Sequence, residues 1–489
     1  MCTVCIKLRK AAPPQSPHPA RQIAPLGVFD FTLLVVGAII GADIYVVAGL
    51  GARSLGPAQL VAWVVAGVLA TLISLAFVQC AAICPQVGGS YAYARAAFGP
   101  LVGFLAGWSL YLGEWVALPV FPLAFVNYLG TFVPAHSPMI GLLARLSLIT
   151  AITGANLVGA RASSRLNDVL TLAKLTPLAL LVGGAVVFGI AHSTTASSHL
   201  RPFTPLGWQG FGVATVLIFW AYAGFELAPL PAADVRDPAR TLPRGLIIGM
   251  AISICTYLLV AVAVVVSLPW QQAAASNRPL DEAARAILTG LNAPSSWGPV
   301  LMSLGALISI AGVYDVFTLS VSRLSYALAR DGLFPSPFAY LHHRFGTPWA
   351  GLVFQAGAAL LLSFVGNLSS LIGLAVFFLG VCYLLTAFAA LQLVASTPGQ
   401  ALHIPGLRLV LVLAIVGSIY LITQESVSNL LIGGLALIVG LLAYIIREQD
   451  WREAAALLRL LERDKQQLWL MAERPEHWLL RFLRRRRAE

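Results

Sequence analysis

The sequence predicts an all-α integral membrane protein with about twelve transmembrane helices, on three observations. Only 10% of its 489 residues are charged and 58% are hydrophobic, whereas a soluble domain carries about 25% charged residues. The mean hydropathy is +0.84. The apolar residues fall in blocks of roughly 20, the length that crosses a bilayer core as helix, and they lack the short alternating pattern of barrel strands. No polar domain separates the blocks, so the chain reads as one membrane domain.

The elements follow in order. Residues 1–26, Pro-rich over 11–25, read as a disordered cytoplasmic lead-in. No cleavable signal peptide is expected, because the first apolar block is too long and begins after residue 26. The transmembrane domain is read as 27–446. Its spans are 28–52, 57–83, 99–132, 138–159, 167–191, 209–233, 243–268, 297–328, 348–366, 370–395, 407–424 and 427–446. The tail 447–489 has Leu and Trp at helical spacing and ends in Arg484–Arg487. It reads either as a basic amphipathic helix on an anionic leaflet or as a solvated tail.

Cation placement sets the orientation. With both termini inside, 25 of the 31 Lys and Arg lie on the inner side, five lie outside, and Lys174 falls within a span. The net charge of +11 is thereby a topology signal and gives no reason to expect nucleic acid. A multi-pass cell-membrane protein with cytoplasmic termini is expected. Cys80, Cys84, Cys255 and Cys382 lie in or beside spans as small apolar residues, and Cys2 with Cys5 makes a lone CxxC.

Two spans contain what an unbroken membrane helix avoids. The first reads Gly37-Ala38-Ile39-Ile40-Gly41-Ala42-Asp43-Ile44-Tyr45. The sixth reads Phe219-Trp220-Ala221-Tyr222-Ala223-Gly224-Phe225-Glu226, with Pro229 and Pro231 beyond. Such sequence is tolerated only around a cavity or site. A matched pair of interruptions in two halves points to the binding site of an inverted-repeat transporter. Gly37-xxx-Gly41 alone would also suit plain helix packing.

Four stretches carry a resemblance. These are Gly37–Val46, Gly88–Arg95 with Phe98-Gly99-Pro100, Trp220–Glu226 running on to Asp237–Arg244, and Ala329–Pro335 with Gly346-Thr347-Pro348. Together they resemble the amino acid–polyamine–organocation family over roughly residues 26–446. Within it the chain looks closest to the basic amino acid/polyamine antiporters, with Pro279–Ala284 in support. The resemblance implies a LeuT-type five-plus-five inverted repeat with helices 1 and 6 broken. Repeat one would be 28–191, repeat two 209–395, and the extra helices 407–446.

Asp43, Glu114, Lys174, Glu226 and Asp315 are ionisable residues inside spans. Each costs about 2.5–3.5 kcal/mol at the bilayer centre unless paired, hydrated or neutral. The surplus of carboxylates suits a cation, whether a proton or an amine. By the resemblance, Lys174 matches a helix-5 lysine whose ammonium stands in for a sodium ion, and it reads either as a proton carrier or as a fixed structural cation. Ile39, Gly41, Ala42 and Asp43 line the first break, Gly113 and Glu114 the helix-3 wall, and Trp220, Ala223 and Phe317 the remaining pocket. Glu226 and Asp315 are assigned to coupling or gating. Asp43 departs from the family, which usually has Gly there. Its carboxylate either enters the site that receives a substrate carboxylate or caps the second half-helix.

The expected function is secondary transport of an amino acid or amine, proton-coupled or by exchange, with amines favoured by Asp43 and Glu114. Neutral amino acids, with Asp43 as cap or proton site, are the alternative; a non-transporting sensor is the second. No enzyme activity, cofactor or metal site is expected, since no histidine cluster lies at membrane depth. The expected partners are the solute, protons and the bilayer; a homodimer is compatible with the sequence but not specified by it.

Overall fold

The computed structural model describes residues 26–85, 88–133, 137–159, 164–227 and 235–447. Cys2, Cys5, the Pro-rich lead-in, Arg161, Pro229, Pro231 and the tail beyond residue 447 lie outside the described residues. Within them the regular structure is helical, apart from one isolated parallel bridge between Leu26 and Val235.

Helix α1 (Val28–Ile39) stops at Ile40, whose backbone is extended at φ −77° and ψ 99°. Helix α2 (Ala42–Leu55) starts after Gly41. A Cβ on Gly41 would stand 2.7 Å from Val313 Cγ2, so no other residue fits the crossing without displacement. One 3-10 turn leads to α3 (Gln59–Ile83). Next come α4 (Ser90–Phe98), α5 (Pro100–Ala117) and α6 (Val120–Leu129). The block read as a single span 99–132 is one apolar run, Pro100–Leu129, with a turn at Leu118 and Pro119 between α5 and α6. Proline, which lacks an N–H, cannot extend the helical ladder there.

The chain continues through α7 (Pro138–Val158), α8 (Ser164–Ala191), the short α9 (Ser193–His199) and α10 (Phe211–Tyr222). It then forms α11 (Pro238–Ser267), α12 (Trp270–Ala275), α13 (Pro279–Gly290) and α14 (Trp297–Arg330). The last helices are α15 (Trp349–Val365), α16 (Leu368–Ser396), α17 (Leu407–Thr423) and α18 (Val427–Arg447). Proline opens α5, α7, α11 and α13, where its fixed φ suits a first turn whose amide has no partner.

Among the described residues eight helical runs are long and apolar enough to cross a membrane, with Ala42–Ile83 counted as one. Four shorter apolar helices join them: α1, α10, α15 and α17. Two of these, α1 and α10, are short because each ends at an interruption. The chain is a multi-pass helical membrane protein. The described residues divide into two units at residue 437, and every site residue discussed below lies in the first.

Two polar ties hold loops to this bundle. Arg53 at the end of α2 donates to the Ala274 carbonyl and to Asn277 Oδ1 at 3.3 Å, beside α12. Arg95 of α4 pairs with Asp331, just past α14, at 2.7 Å, and Tyr91 bonds to both.

Candidate functional site

A helix that stops in mid-membrane leaves carbonyls without intrahelical partners. At the end of α1, three side chains from three different helices take them up. The Lys174 ammonium of α8 donates to the Gly37 carbonyl at 2.6 Å. The Tyr257 hydroxyl of α11 donates to Ile39 at 2.8 Å, and the Ser309 hydroxyl of α14 to Ile40 at 3.2 Å. Lys174, Tyr257 and Ser309 are all buried.

Asp43 stands in the first turn of α2, with its Oδ1 close beside Gly41. Its carboxylate interacts with the backbone of Gly41 and of Asp43 itself, and with the Lys174 charge. Asp43 Oδ2 also lies 3.0 Å from the Tyr257 hydroxyl. Lys174 and Asp43 attract each other without the contact distance of an ion pair. Asp43, Lys174 and the first break thus form one buried cluster, with Ile39 and Ala42 fully buried beside it.

The second interruption touches the first. After α10, Ala223 is extended (φ −66°, ψ 159°) and Gly224 has φ +116°. A Cβ on Gly224 would lie 2.6 Å from the Ala38 carbonyl oxygen, so the two breaks cross backbone against backbone. Only glycine combines that positive φ with that approach. Glu226 Oε1 accepts from the Gly224 amide at 2.9 Å and so caps the freed segment.

Glu114 of α5 faces Glu226. Both Glu114 oxygens, Glu226 Oε2 and the neighbouring Tyr383 hydroxyl are buried without a well-formed hydrogen bond. Tyr383 stacks on Phe225 at 5.4 Å, and Phe77 meets both rings edge-on. Two buried carboxyls thus face each other beside the aromatic rings of Phe77, Phe225 and Tyr383. The contacts of Glu114 are therefore with the second break rather than with Asp43. Gly113 beside it lets α5 approach α16, since a Cβ would lie 2.9 Å from Leu379.

Trp220 and Phe317 both pack on Phe121, at 6.2 and 5.0 Å. Phe121, on α6, had no signal in the sequence beyond being one more aromatic. Asp315 is set apart. It accepts from Asn156 Nδ2 of α7 at 2.7 Å. Its position on α14 is roughly 200° around the helix from Val313 and Phe317, which face the breaks. Tyr257, Ser309 and Tyr383 were also missed, because single hydroxyls are common in membrane helices and only their placement gives them meaning.

Membrane-crossing helices with two interruptions in contact, each holding buried charge, define a transporter of small solutes rather than an enzyme. Among the described residues no group of His, Cys, Asp and Glu is placed to hold a metal. The chain belongs to the amino acid permease family, within the amino acid–polyamine–organocation transporters: the family profile matches residues 26–439. It is 27% identical to a branched-chain amino acid permease of Bacillus subtilis, over 86% of this chain and 92% of that one. A methylthioribose transporter of the same organism is 29% identical, over 71% and 77%. A serine/threonine exchanger, also from Bacillus subtilis, is 25% identical, over 85% and 94%.

Proposed function

We propose that this permease carries a small amine, or an amino acid, across the cell membrane by alternating access around the two breaks, in a twelve-span five-plus-five architecture with both termini cytoplasmic. Ile39, Gly41, Ala42, Asp43, Gly113, Glu114, Trp220, Ala223 and Phe317 form the solute pocket. Lys174 and Glu226 serve coupling and gating at the breaks, and Asp315, bonded to Asn156 of α7, serves coupling away from them, with protons as the coupled or exchanged ion.

One observation carries the preference for amines. The Asp43 carboxylate already stands in the first turn of α2, with its Oδ1 beside Gly41, the place where a half-helix N-terminus binds an anion. An incoming α-carboxylate meets a like charge there, which costs several kcal/mol. An ammonium instead gains a charge-assisted hydrogen bond. The relatives favour a second reading: two of them are named for neutral amino acids. On that reading Asp43 is a cap or a proton site.

Matched pairs decide between them. Purified protein is screened by thermal shift, and in liposomes by uptake, with L-leucine against 3-methylbutylamine and L-ornithine against putrescine. The amine of each pair should stabilise and be transported better, and Asp43→Gly should weaken amine binding and relax selectivity toward the amino acid. A preference for the amino acid that Asp43→Gly leaves unchanged refutes the amine reading. Folded protein that neither binds nor transports any of a broad panel would favour the sensor reading.

A further inference from the structure

The Tyr257 hydroxyl has one proton and two acceptors. It stands 2.8 Å from the Ile39 carbonyl and 3.0 Å from Asp43 Oδ2. A phenol donates once, so at any moment one of these oxygens goes without it. The other groups around the ring do not relieve this contest. The Tyr222 hydroxyl donates to the Trp63 carbonyl at 3.2 Å, and the Ser309 hydroxyl is used on Ile40. The Lys174 ammonium is used on Gly37 and acts on Asp43 only through space. Among the described side chains Tyr257 is the hydrogen-bond donor to the Asp43 carboxylate.

The ring itself is held in place. It is fully buried, edge-on to Trp63 at 5.9 Å and tilted against Tyr222 at 5.3 Å. Rotating the hydroxyl hydrogen is the one adjustment that moves the bond from one acceptor to the other. That rotation needs no backbone movement.

We infer that Tyr257 is the positioning residue that sets selectivity at the first break: by donating to Asp43 it holds the carboxylate at the start of α2, and it thereby releases the Ile39 carbonyl to accept the ammonium of the solute. In the empty site the hydroxyl serves Ile39. When an ammonium arrives at that carbonyl, the hydroxyl turns to Asp43. The site then presents one free carbonyl and a closed anion position, which an amine satisfies and an α-amino acid does not. The inference rests on the amine reading of the pocket and names the group that enforces it.

The test measures dissociation constants of 3-methylbutylamine and L-leucine for purified wild-type protein and for Tyr257→Phe. Losing the hydroxyl frees the Asp43 carboxylate to leave the start of α2. The ratio of the two constants should therefore move about tenfold toward L-leucine, the size expected for one hydrogen bond to a charged group. A purely structural role for Tyr257 weakens both ligands alike, and an equal loss or an unchanged ratio overturns the inference while leaving the pocket assignment intact. Asp43→Asn is the second variant and also serves if Tyr257→Phe does not fold. It should move the ratio the same way, and an unchanged ratio in folded Asp43→Asn overturns the inference as well. If wild-type protein binds neither ligand, the amine reading fails and the inference falls with it.

Discussion

Removing the ammonium of Lys174 should stop the transport cycle while sparing solute binding. Lys174 is 4% exposed, and its ammonium is 2.6 Å from the Gly37 carbonyl. Lys174→Ala leaves that carbonyl buried without a donor, at about 1–3 kcal/mol. It also strips Asp43 of the nearest opposite charge, and breaking a buried charge pair costs about 3–5 kcal/mol. Because Lys174 and Asp43 interact without contact, the combined loss should fall near the lower end, at about 4 kcal/mol. Detergent thermal unfolding should show it, and Lys174→Met with Asp43→Asn should recover most of it, since no lone charge then remains.

Transport should respond more strongly than stability. A group that drives alternation must interact differently with the two access states, and Lys174 ties α1 to α8 at the hinge of the first break. Uptake into liposomes should drop at least about tenfold, while the dissociation constant of a bound amine changes less than about threefold, a difference of about 0.6 kcal/mol. Uptake at wild-type rate with unchanged pH dependence in Lys174→Ala would reduce Lys174 to a packing residue and refute the reasoning.

Two further outcomes follow from other positions. Gly224→Ala places a Cβ 2.6 Å from the Ala38 carbonyl at φ +116°; backbone strain of about 1–3 kcal/mol should lower the unfolding temperature and abolish uptake. Gly183→Ala, where a Cβ meets nothing within 4 Å, is the control and should behave as wild type. Asp281 on α13 is buried, accepts from Ser303 at 2.6 Å and Thr131 at 3.0 Å, and has Oδ1 unpartnered. Burial raises its carboxyl from 3.8 to about 6, outweighing those donors and Arg278. The folded form thus holds the proton more tightly than the unfolded one. Docking of α13 should strengthen as pH falls from about 6 to about 4 and lose that gain, at most about 3 kcal/mol, above about 6. Amide exchange in Pro279–Gly290, corrected for intrinsic rate, should be slower at pH 5 than at pH 7.5. A pH difference that persists in Asp281→Asn would exclude Asp281 as its source.

Much of this site was legible in one dimension because glycine and charge are costly in an apolar span. Gly41, Gly224, Asp43, Lys174 and Glu226 stand out on that ground alone, and the structure places them at two interruptions in mutual contact. Pairings between distant residues were not legible. Glu114 lies 112 positions before Glu226, and nothing local to either names the other. Tyr257 and Ser309 look like ordinary membrane hydroxyls until the orphan carbonyls of α1 are located. Asp315 was grouped with the central charges by depth. Its angular position on α14 separates it from Val313 and Phe317, and it pairs with Asn156 instead.

The three carbonyls at the end of α1 also constrain motion. In the empty site Gly37, Ile39 and Ile40 are tethered to α8, α11 and α14 respectively. If α1 swung away by itself, all three tethers would rupture together, at about 0.5–1.5 kcal/mol for each neutral one and more for the ammonium. If the four helices travelled as a block, none would. The tethers thus act as a brace that makes collective rocking cheaper than the bending of one helix. Beside them the second interruption meets the first backbone against backbone at Gly224, a contact that alternating access by such rocking would have to preserve or break.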